Sequence, residues 1–500
     1  MPDFPSRSIY LLSLFSCIAL QGAFAADPQM DEIVIEVDGL PGGADEILIE
    51  DTTGQTPAVD EIVIDAGPAD APDEIVIDTG PAEASPAASA AVADTAQPAA
   101  NDWPVTLRIE DVRAEYGAFT DEDSEADSAL YGKIEVSANW RANPQWELQL
   151  AARADAHDQH GDNDFSTLGA DYGESYLRLH GERTRLTLGT QTVIWGRLDE
   201  LPLADRVSTA DLTRGVLDDL ADRRRANPML RAETLVGGGK IDLVWLVDFR
   251  AAELPDKDSV WYPINGTTGR ILGIDPDDLP PAAVQGARID ARAPGGDGGF
   301  GMRFTRTHSF ADIGVTVANT RQSIPYFRAA GTDRIEAVYP RSWAYGLDAA
   351  IDAAGATWRV EALYSSDNPV TRSDLSYTTT PAVAWGGGVE FHPGDGDARV
   401  NLQLMGMQLI DAPRILDREE IYSFNGEFNV PFDRERWRAK LDFYIGLDQK
   451  DVFLNPEIAF LGAEPHEFYL AAHYFSGDEQ TMGGFHEDHS SINLGWRAKF

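Results

Sequence analysis

Residues 130 to 140 read Leu-Tyr-Gly-Lys-Ile-Glu-Val-Ser-Ala-Asn-Trp, with apolar or small side chains at every second position from Leu130 to Trp140. The positions between them, from Tyr131 to Asn139, are mostly polar. Successive side chains of a β-strand point to opposite faces, so this alternation predicts a strand with one apolar and one polar face. The same pattern recurs at residues 146–152, 241–249, 343–351 and 437–445. We therefore predict an all-β domain over residues 103–500.

The predicted strands are long, about 10 residues, with aromatic residues near their ends, which is typical of a transmembrane antiparallel β-barrel. The connections between them alternate between short and long, and their number predicts 18 strands, with 16 as the alternative if the two longest loops were misread. Because the strand number is even, the first strand begins and the last strand ends on the same side of the membrane. This is the side of the short turns, which is the periplasmic side. The predicted short turns are 141–145, 181–183, 237–240, 309–312, 353–355, 392–398, 431–435 and 462–467. The predicted long loops are 119–129, 157–172, 192–230, 252–298, 323–341, 366–380, 411–420, 448–457 and 476–490.

The last predicted strand alternates through Ile492, Leu494, Trp496 and Ala498 to the terminal Phe500. A terminal aromatic residue in this pattern resembles the signal that the barrel-assembly machinery recognises. We therefore interpret Trp496 and Phe500 as an assembly signal and the barrel-assembly machinery as a partner.

The composition excludes several classes of protein. A formal net charge of -43 and an isoelectric point near 4.4 argue against binding to nucleic acid. No run of about 20 apolar residues is present, so a bundle of transmembrane helices is excluded. The single cysteine, Cys17, allows no internal disulfide framework.

Residues 1–25 have the features of an export signal. Arg7 precedes an apolar run from Ile9 to Leu20, and Ala23-Phe24-Ala25 fits a cleavage site. The alternative is a lipoprotein signal in which Cys17 is acylated. Together with the barrel pattern, the signal predicts the outer membrane of a Gram-negative bacterium, with the segment after residue 25 in the periplasm.

Residues 26–102 contain 19 Asp and Glu residues and no Lys or Arg, which predicts a disordered acidic segment. Within it, an acid-flanked apolar triplet occurs four times. The triplets are Ile33-Val34-Ile35, Ile47-Leu48-Ile49, Ile62-Val63-Ile64 and Ile75-Val76-Ile77. They could add as strands to the open edge of a partner's sheet, or the segment could serve only as a solubilising spacer that ends in an Ala/Pro-rich stretch. The repeats resemble the short box near the start of TonB-dependent receptors, which implies a TonB-like partner.

A second unusual stretch follows the strand that ends near Trp195. Arginine and aspartate alternate along it without barrel periodicity. One interpretation is that the stretch folds into the lumen and narrows a pore, and the other is an ordinary extracellular loop. The candidate constriction residues are Arg206, Asp211, Arg214, Asp218, Asp219, Asp222, Arg223, Arg224 and Arg225.

Charges also differ between the two ends of the predicted barrel. Basic residues gather near the periplasmic mouth: Arg178, Arg183, Arg185, Arg436, Arg438, Lys440 and Arg497, with Arg108, Arg359, Arg399 and Lys499 of the same kind. The outer loops are acidic at residues 121–127 and 478–488, where divalent cations could bridge them to lipopolysaccharide. The alternative is that these charges only solvate loops and hydrate a lumen.

The stretch from Leu188 to Arg231 also resembles a family. The residues that carry the resemblance are Leu188-Gly189-Thr190-Gln191, Trp195-Gly196-Arg197, Asp199, Asp205, Asp211-Leu212, Asp218-Asp219, Asp222-Arg223-Arg224 and Pro228-Met229-Leu230-Arg231. This pattern resembles a proteobacterial outer-membrane barrel family known as domain of unknown function 1302. The resemblance implies a transport role for hydrophobic compounds or lipids beside an RND-type exporter.

Catalytic and metal motifs are weak, and we expect no cofactor. His157 and His160, and likewise His486 and His489, could bind a metal only if a turn brings the two rings together. The predicted function is an outer-membrane channel for a small or lipid-like solute. The alternatives are an envelope-assembly component recruited through the acidic repeats and, third, a barrel enzyme.

Overall fold

A computed structural model describes residues 105–500, except 200, 201, 280, 332, 395, 396 and 413, together with Ile33–Val34 and Val76–Ile77. The predicted export signal, the second and third repeats, and residues Ile35 and Ile75 lie outside the described residues. The chain divides into two units, of which Asp27–Ala84 is one. Within that unit Ile33 pairs with Ile77 and Val34 with Val76 in an antiparallel register.

The main unit is an antiparallel β-barrel of 18 strands, one of which is interrupted. The strands are β1 Val105–Phe119, β2 Ala126–Asn143, β3 Trp146–Gly161, β4 Phe165–Tyr172 with Ser175–His180, β5 Thr184–Gln191, β6 Asn227–Val236, β7 Gly239–Leu246, β8 Gly299–His308 and β9 Ala311–Arg321. They continue with β10 Arg341–Ala353, β11 Ala356–Thr371, β12 Tyr377–Phe391, β13 Arg399–Leu409, β14 Glu420–Phe432, β15 Trp437–Gly446, β16 Asp451–Ala463, β17 His466–Gly477 and β18 Ser491–Lys499.

Each strand pairs with its neighbours in the chain, and the barrel closes where β18 pairs with β1. Leu494 lies opposite Tyr116 and Trp496 opposite Ala114 at this seam. The fold class and the strand number predicted from the sequence are therefore confirmed. Among the described residues, no helix is long and apolar enough to cross a membrane.

The two faces of the wall have opposite character. Apolar side chains point outward, as Leu347 does at 62% exposure and Leu494 at 63%. Charged side chains such as Glu115, Lys133, Asp242 and Glu361 are buried on the inner face. Apolar residues outside and polar residues inside is the pattern of a barrel that spans a membrane.

Three predicted long loops were too long in our sequence interpretation. The loop predicted at 157–172 is a connection of residues 162–164, because β3 runs to Gly161 and β4 begins at Phe165. Likewise, the loops predicted at 366–380 and 448–457 shrink to 372–376 and 447–450. At the end of β3 the strand extends past the apolar band, because Asp158 and His160 occupy its outward face, so the alternation of hydrophobicity ends before the strand does.

The long connections after β7, β9 and β17 pack together at one end of the barrel. We call this assembly the outer cap. Residues Arg288–Asp290, Arg334–Val338 and Tyr326–Ala329 form a three-stranded sheet within it, and Met482–Phe485 forms a short α-helix, α1. Its apolar core includes Ile264, Ile271, Tyr326, Phe327, Ile335 and Phe485.

Candidate functional site: the lumenal segment

The long connection after β5 lies inside the barrel and packs on the inner wall. We call residues 192–226, apart from the undescribed 200 and 201, the lumenal segment. Leu198, Val207 and Leu220 in this segment are 1% exposed or less. A connection of this length that is buried rather than solvated needs its charges and backbone groups satisfied by the wall.

The start of the segment fits spaces that glycines leave in the wall. Trp195 packs where a β-carbon on Gly301 would lie 2.7 Å from its ring, and its indole N–H donates to Asp242 at 3.1 Å. Leu198 lies against Gly386 and Gly388 of β12, where a side chain on Gly386 would overlap it. The absence of side chains at these positions on β8 and β12 therefore makes room for the segment.

One carboxylate holds the next part of the backbone. Glu361 of β11 is buried, and it accepts hydrogen bonds from the backbone N–H groups of Arg197, Leu198, Leu203 and Ala204. The distance from nitrogen to carboxylate oxygen is 2.9 Å for Leu198 and 2.7 Å for Leu203. Because these donors are buried without a helix or sheet partner, Glu361 fixes the path of the chain at this point.

Ion pairs attach the later part of the segment to the first strands. Arg113 of β1 contacts Asp218 at 2.9 Å, and Lys133 of β2 contacts Asp222 at 2.6 Å. Arg153 of β3 lies 3.3 Å from Asp211. The wall supplies the cation and the segment supplies the acid in each of these pairs.

The opposite wall is reached in the same way. Asp199 lies 2.6 Å from Arg359 of β11 and 2.7 Å from the amide nitrogen of Asn401 of β13. Burial raises the pKa of Asp199 to about 6, and Arg359 and Arg399 act against this shift. Lys440 of β15 pairs with Asp219 at 2.9 Å, and this cation also lowers the pKa of Asp219 against the effect of burial. The segment therefore crosses the lumen and contacts strands on both sides.

The structure places all nine predicted constriction residues in the lumenal segment. Their contacts are Arg206 with Ser365, Asp211 with Arg153 and Arg225, Arg214 with Glu115, Asp218 with Arg113, Asp219 with Lys440, Asp222 with Lys133, Arg224 with Asp205 and Arg225 with Asp171 and Glu253, and Arg223 is 1% exposed.

The basic residues predicted at the periplasmic mouth do not form an isolated positive ring. Arg438 and Arg497 share Glu457, at 2.9 Å and 2.8 Å, and both also contact Glu467. The other ion pairs are Arg178 with Glu147, Arg185 with Glu233, Arg436 with Asp433 and Lys440 with Asp219, while Arg183 lies in the turn 181–183 between β4 and β5. Carboxylates of the inner wall and turns thus balance much of this positive charge.

Sequence reasoning missed the wall residues that hold the segment, above all Glu361, Glu115 and Lys133. Their signal was present, because each is a charged residue on the polar face of a predicted strand. Alternation shows that a charged side chain points inward. It does not show which loop residue that side chain contacts when the two are more than 80 positions apart in the chain.

The candidate assembly residues lie at the seam of the barrel. Trp496 donates its indole N–H to His466 at 3.3 Å, and the Phe500 ring lies 6.3 Å from that of His466. A turn in the outer cap does bring His486 and His489 together, with their Nδ1 atoms 3.2 Å apart, whereas His157 packs on the Tyr131 ring instead. Within the described part of the chain, no group of three or more side chains is placed to bind a metal ion.

Polar groups line the wall on the side of β14 to β17. Ser423, Asn425 and His473 are buried, and the Ser423 hydroxyl, the Asn425 side-chain oxygen and the His473 Nδ1 atom have no hydrogen-bond partner among the described residues. Buried polar atoms without a protein partner are normally hydrated. This side of the lumen therefore carries polar groups beside the buried rings of Tyr444, Phe453 and Phe475.

The sequence matches the model of a family described as "Protein of unknown function (DUF1302)" over residues 93–454. No curated protein matches it. Solved structures similar to this one include Acinetobacter baumannii OccAB1, with 8% sequence identity, a TM-score of 0.49 and coverage of 79% of this chain and 96% of that chain. Pseudomonas aeruginosa OpdL has 10% identity, a TM-score of 0.45 and coverage of 79% and 98%. The outer membrane channel DcaP of Acinetobacter baumannii has 12% identity, a TM-score of 0.39 and coverage of 79% and 97%.

Proposed function

The chain belongs to the DUF1302 family of proteins of unknown function, and we propose that it is an outer-membrane channel for a small solute, narrowed by the lumenal segment. The observation that carries the proposal is a closed barrel that is apolar outside and charged inside, with one connection held across its lumen. Such a wall separates a lipid phase from an aqueous interior.

The position in the envelope is inferred from the two ends of the barrel. One end has short turns, such as residues 237–238 and 354–355, while the other carries the outer cap. Outer-membrane barrels have short periplasmic turns and longer extracellular loops. We therefore place the outer cap outside the cell, beside lipopolysaccharide, and the N-terminal segment in the periplasm.

The route of the solute follows from how the lumen is filled. An apolar cluster that includes Leu198, Leu203, Leu220 and Met405 joins the segment to the wall on the side of β9 to β14. On β14 to β17, the Ser423 hydroxyl, the Asn425 side-chain oxygen and the His473 Nδ1 atom have no hydrogen-bond partner among the described residues. This supports an aqueous path between the segment and β14 to β17, since water and polar solutes are stabilised there.

Conductance in planar bilayers tests the channel and its constriction separately. We expect the wild-type barrel to conduct ions and a variant with a short Gly-Ser bridge in place of residues 206–225 to conduct more. A matched control replaces residues 256–258, an exposed part of the outer cap, with Gly-Ser, and it should behave as wild type. A folded wild-type barrel that does not conduct contradicts the channel, and equal conductance of the deletion variant contradicts the constriction.

A second proposal concerns the acidic repeats. Ile33–Val34 and Val76–Ile77, from the first and fourth repeats, pair as antiparallel strands. This supports the proposal that a repeat can add to the sheet edge of a periplasmic or inner-membrane partner, such as a TonB-like protein or an RND-type exporter. We expect a column-bound peptide of residues 26–102 to retain such a protein. The same peptide with Ile33 and Ile77 changed to Asp should not retain it. Equal retention by both peptides contradicts it.

A further inference from the structure

A cavity of about 150 Å³ lies between the lumenal segment and the wall near the outer cap. Its lining comes from residues 202–212 of the segment, the start of the connection after β9, and the outer halves of β9 to β13. Two of the candidate constriction residues, Arg206 and Arg224, line it, so the cavity lies at the constriction itself.

Two arginines in this cavity form no close ion pair among the described residues, although Asp205 acts electrostatically on Arg206. Arg206 donates to the Ser365 hydroxyl at 3.3 Å, and Arg321 donates to the backbone oxygen of Tyr339 at 3.0 Å. Neither has a carboxylate within 4.0 Å among the described residues, and the Nε atom of each is buried without a hydrogen-bond partner. The third arginine, Arg224, is paired with Asp205 at 2.9 Å.

Arg206 differs in this respect from Arg197, Arg214, Arg224 and Arg225 of the segment. Those four arginines form ion pairs with carboxylates of the wall, of the outer cap or of the segment itself. A buried guanidinium without a close counter-charge is costly, and burial lowers the pKa of Arg206 although the neighbouring Asp205 acts against this shift. A bound anion would remove that cost. Two carboxylates also line the cavity: Asp367, whose oxygens accept from Ser366 and Thr379, and Asp205, which pairs with Arg224 and accepts from Ser208 through one oxygen.

The rest of the lining is mixed, with polar side chains from Ser208, Thr320, Gln322, Ser323 and Ser342 facing an apolar part. Leu203, Leu212, Ile324, Ala344, Ala384 and Met407 contribute side chains to it. A volume of about 150 Å³ is enough for a benzene-sized molecule. The cavity therefore offers an apolar side for a ring or short chain, hydroxyl and amide groups for hydrogen bonds, and a positive group for a charge.

We propose that this cavity binds a small monocarboxylate with a compact apolar body, such as an aromatic acid, with Arg206 as the main contact of the carboxylate. Arg321 adds positive charge on the same lining, and guanidinium groups bind carboxylates in charge-assisted hydrogen bonds. The inference rests on the proposed channel, whose solute class it names.

Isothermal titration of the purified, detergent-solubilised full chain tests the site without any conductance measurement. The probes are benzoate, benzyl alcohol and benzylamine, which share a ring and differ in charge. We expect benzoate to bind, and the neutral and cationic probes to bind about tenfold more weakly or not at all. Hexanoate tests whether an aliphatic body serves as well as a ring.

Arg206→Gln should weaken benzoate binding about tenfold or more, and Arg321→Gln should weaken it less. The matched control is Arg306→Gln, which removes an exposed arginine near the short-turn end of β8 and should leave binding unchanged. Heat-modifiable migration on gels shows that each variant is folded. If Arg206→Gln does not fold, Arg206→Lys and the comparison of the three probes on wild type still decide the question.

The outcomes separate the two proposals. Equal binding of benzoate and benzyl alcohol, or unchanged benzoate binding by folded Arg206→Gln, overturns the anion site. A protein that conducts in bilayers but binds no benzoate also overturns the site and leaves the channel intact. Selective benzoate binding by a barrel that does not conduct supports the site and contradicts the channel.

Discussion

Replacement of Glu361 by alanine should release the start of the lumenal segment while leaving the barrel closed. The Glu361 carboxylate is the shared acceptor for four backbone N–H groups, those of Arg197, Leu198, Leu203 and Ala204. Alanine would leave these buried donors without a partner. The strand itself loses no backbone hydrogen bond, because Glu361 pairs through its main chain with Asp348 and Gly386 on the adjacent strands.

The size of the effect follows from the number of donors. Each buried donor left unpaired costs about 1–3 kcal/mol, and relaxation of the chain recovers part of that sum. We therefore expect the segment to be destabilised locally by about 3–5 kcal/mol, the range found when one partner of a buried charged network is removed. Glu361→Gln should have an intermediate effect, since it keeps one acceptor oxygen but turns an NH₂ group toward the donors.

Hydrogen exchange measured by mass spectrometry reports on this directly. A loss of about 3–5 kcal/mol corresponds to roughly 100-fold to 3,000-fold faster exchange of the amides at residues 197–204. Exchange in β1 and β18 should not change. Glu182→Ala, at an exposed glutamate in the turn between β4 and β5, is the matched control. Unchanged exchange at residues 197–204 in a folded Glu361→Ala barrel would refute the role given to this carboxylate.

Three further predictions concern the outer cap, the wall and the seam. Burial and the neighbouring His489 hold the pKa of His486 well below its usual range, so this ring is neutral in the folded cap and gains a proton when the cap opens. The stability of the cap should thus be complete above the ordinary histidine pKa of about 6.5 and should fall as the pH drops below it. We expect residues 478–490 to be proteolysed faster at pH 5 than at pH 7.5. The variant His486→Phe should show no such difference. Gly301→Val should displace Trp195 and speed hydrogen exchange at residues 192–199, because the added β-carbon would lie 2.7 Å from the ring; protection equal to wild type would show that the ring has room to move. Deletion of Phe500 should reduce the heat-modifiable, membrane-inserted fraction in cells, and normal insertion would contradict its role as an assembly signal.

The strands could be predicted because a barrel wall repeats one local rule. Leu130 to Trp140 show that rule within a single strand, and the lengths of the connections give the strand number. The rule failed at residues 157–172, where Asp158 and His160 replace apolar residues on the outward face although the strand continues. Hydrophobic alternation marks where a strand crosses lipid, while backbone pairing marks where the strand ends, and these two limits differ at the outer cap.

The site was predictable only in part. The alternating Arg and Asp residues after Trp195 indicated a segment whose charges needed partners, and the residues proposed for it lie in the lumen. The partners themselves could not be inferred, because a contact such as Leu198 with Glu361 joins positions 163 residues apart. Only closure of the barrel determines which inward side chains face each other across the lumen. The cavity beside Arg206 depends on that same closure.

The contacts of the lumenal segment also imply an order of events during assembly. Arg113, Lys133 and Arg153 precede the segment in the chain, whereas Glu361, Asn401 and Lys440 follow it. The first three can meet its aspartates as soon as β1 to β3 are paired. The last three become available only after β11 to β15 have joined the sheet, and loop-closure entropy delays contacts of such long sequence separation. We therefore expect the segment to adhere first to the N-terminal strands, so that the C-terminal strands close around a lumen that is already occupied.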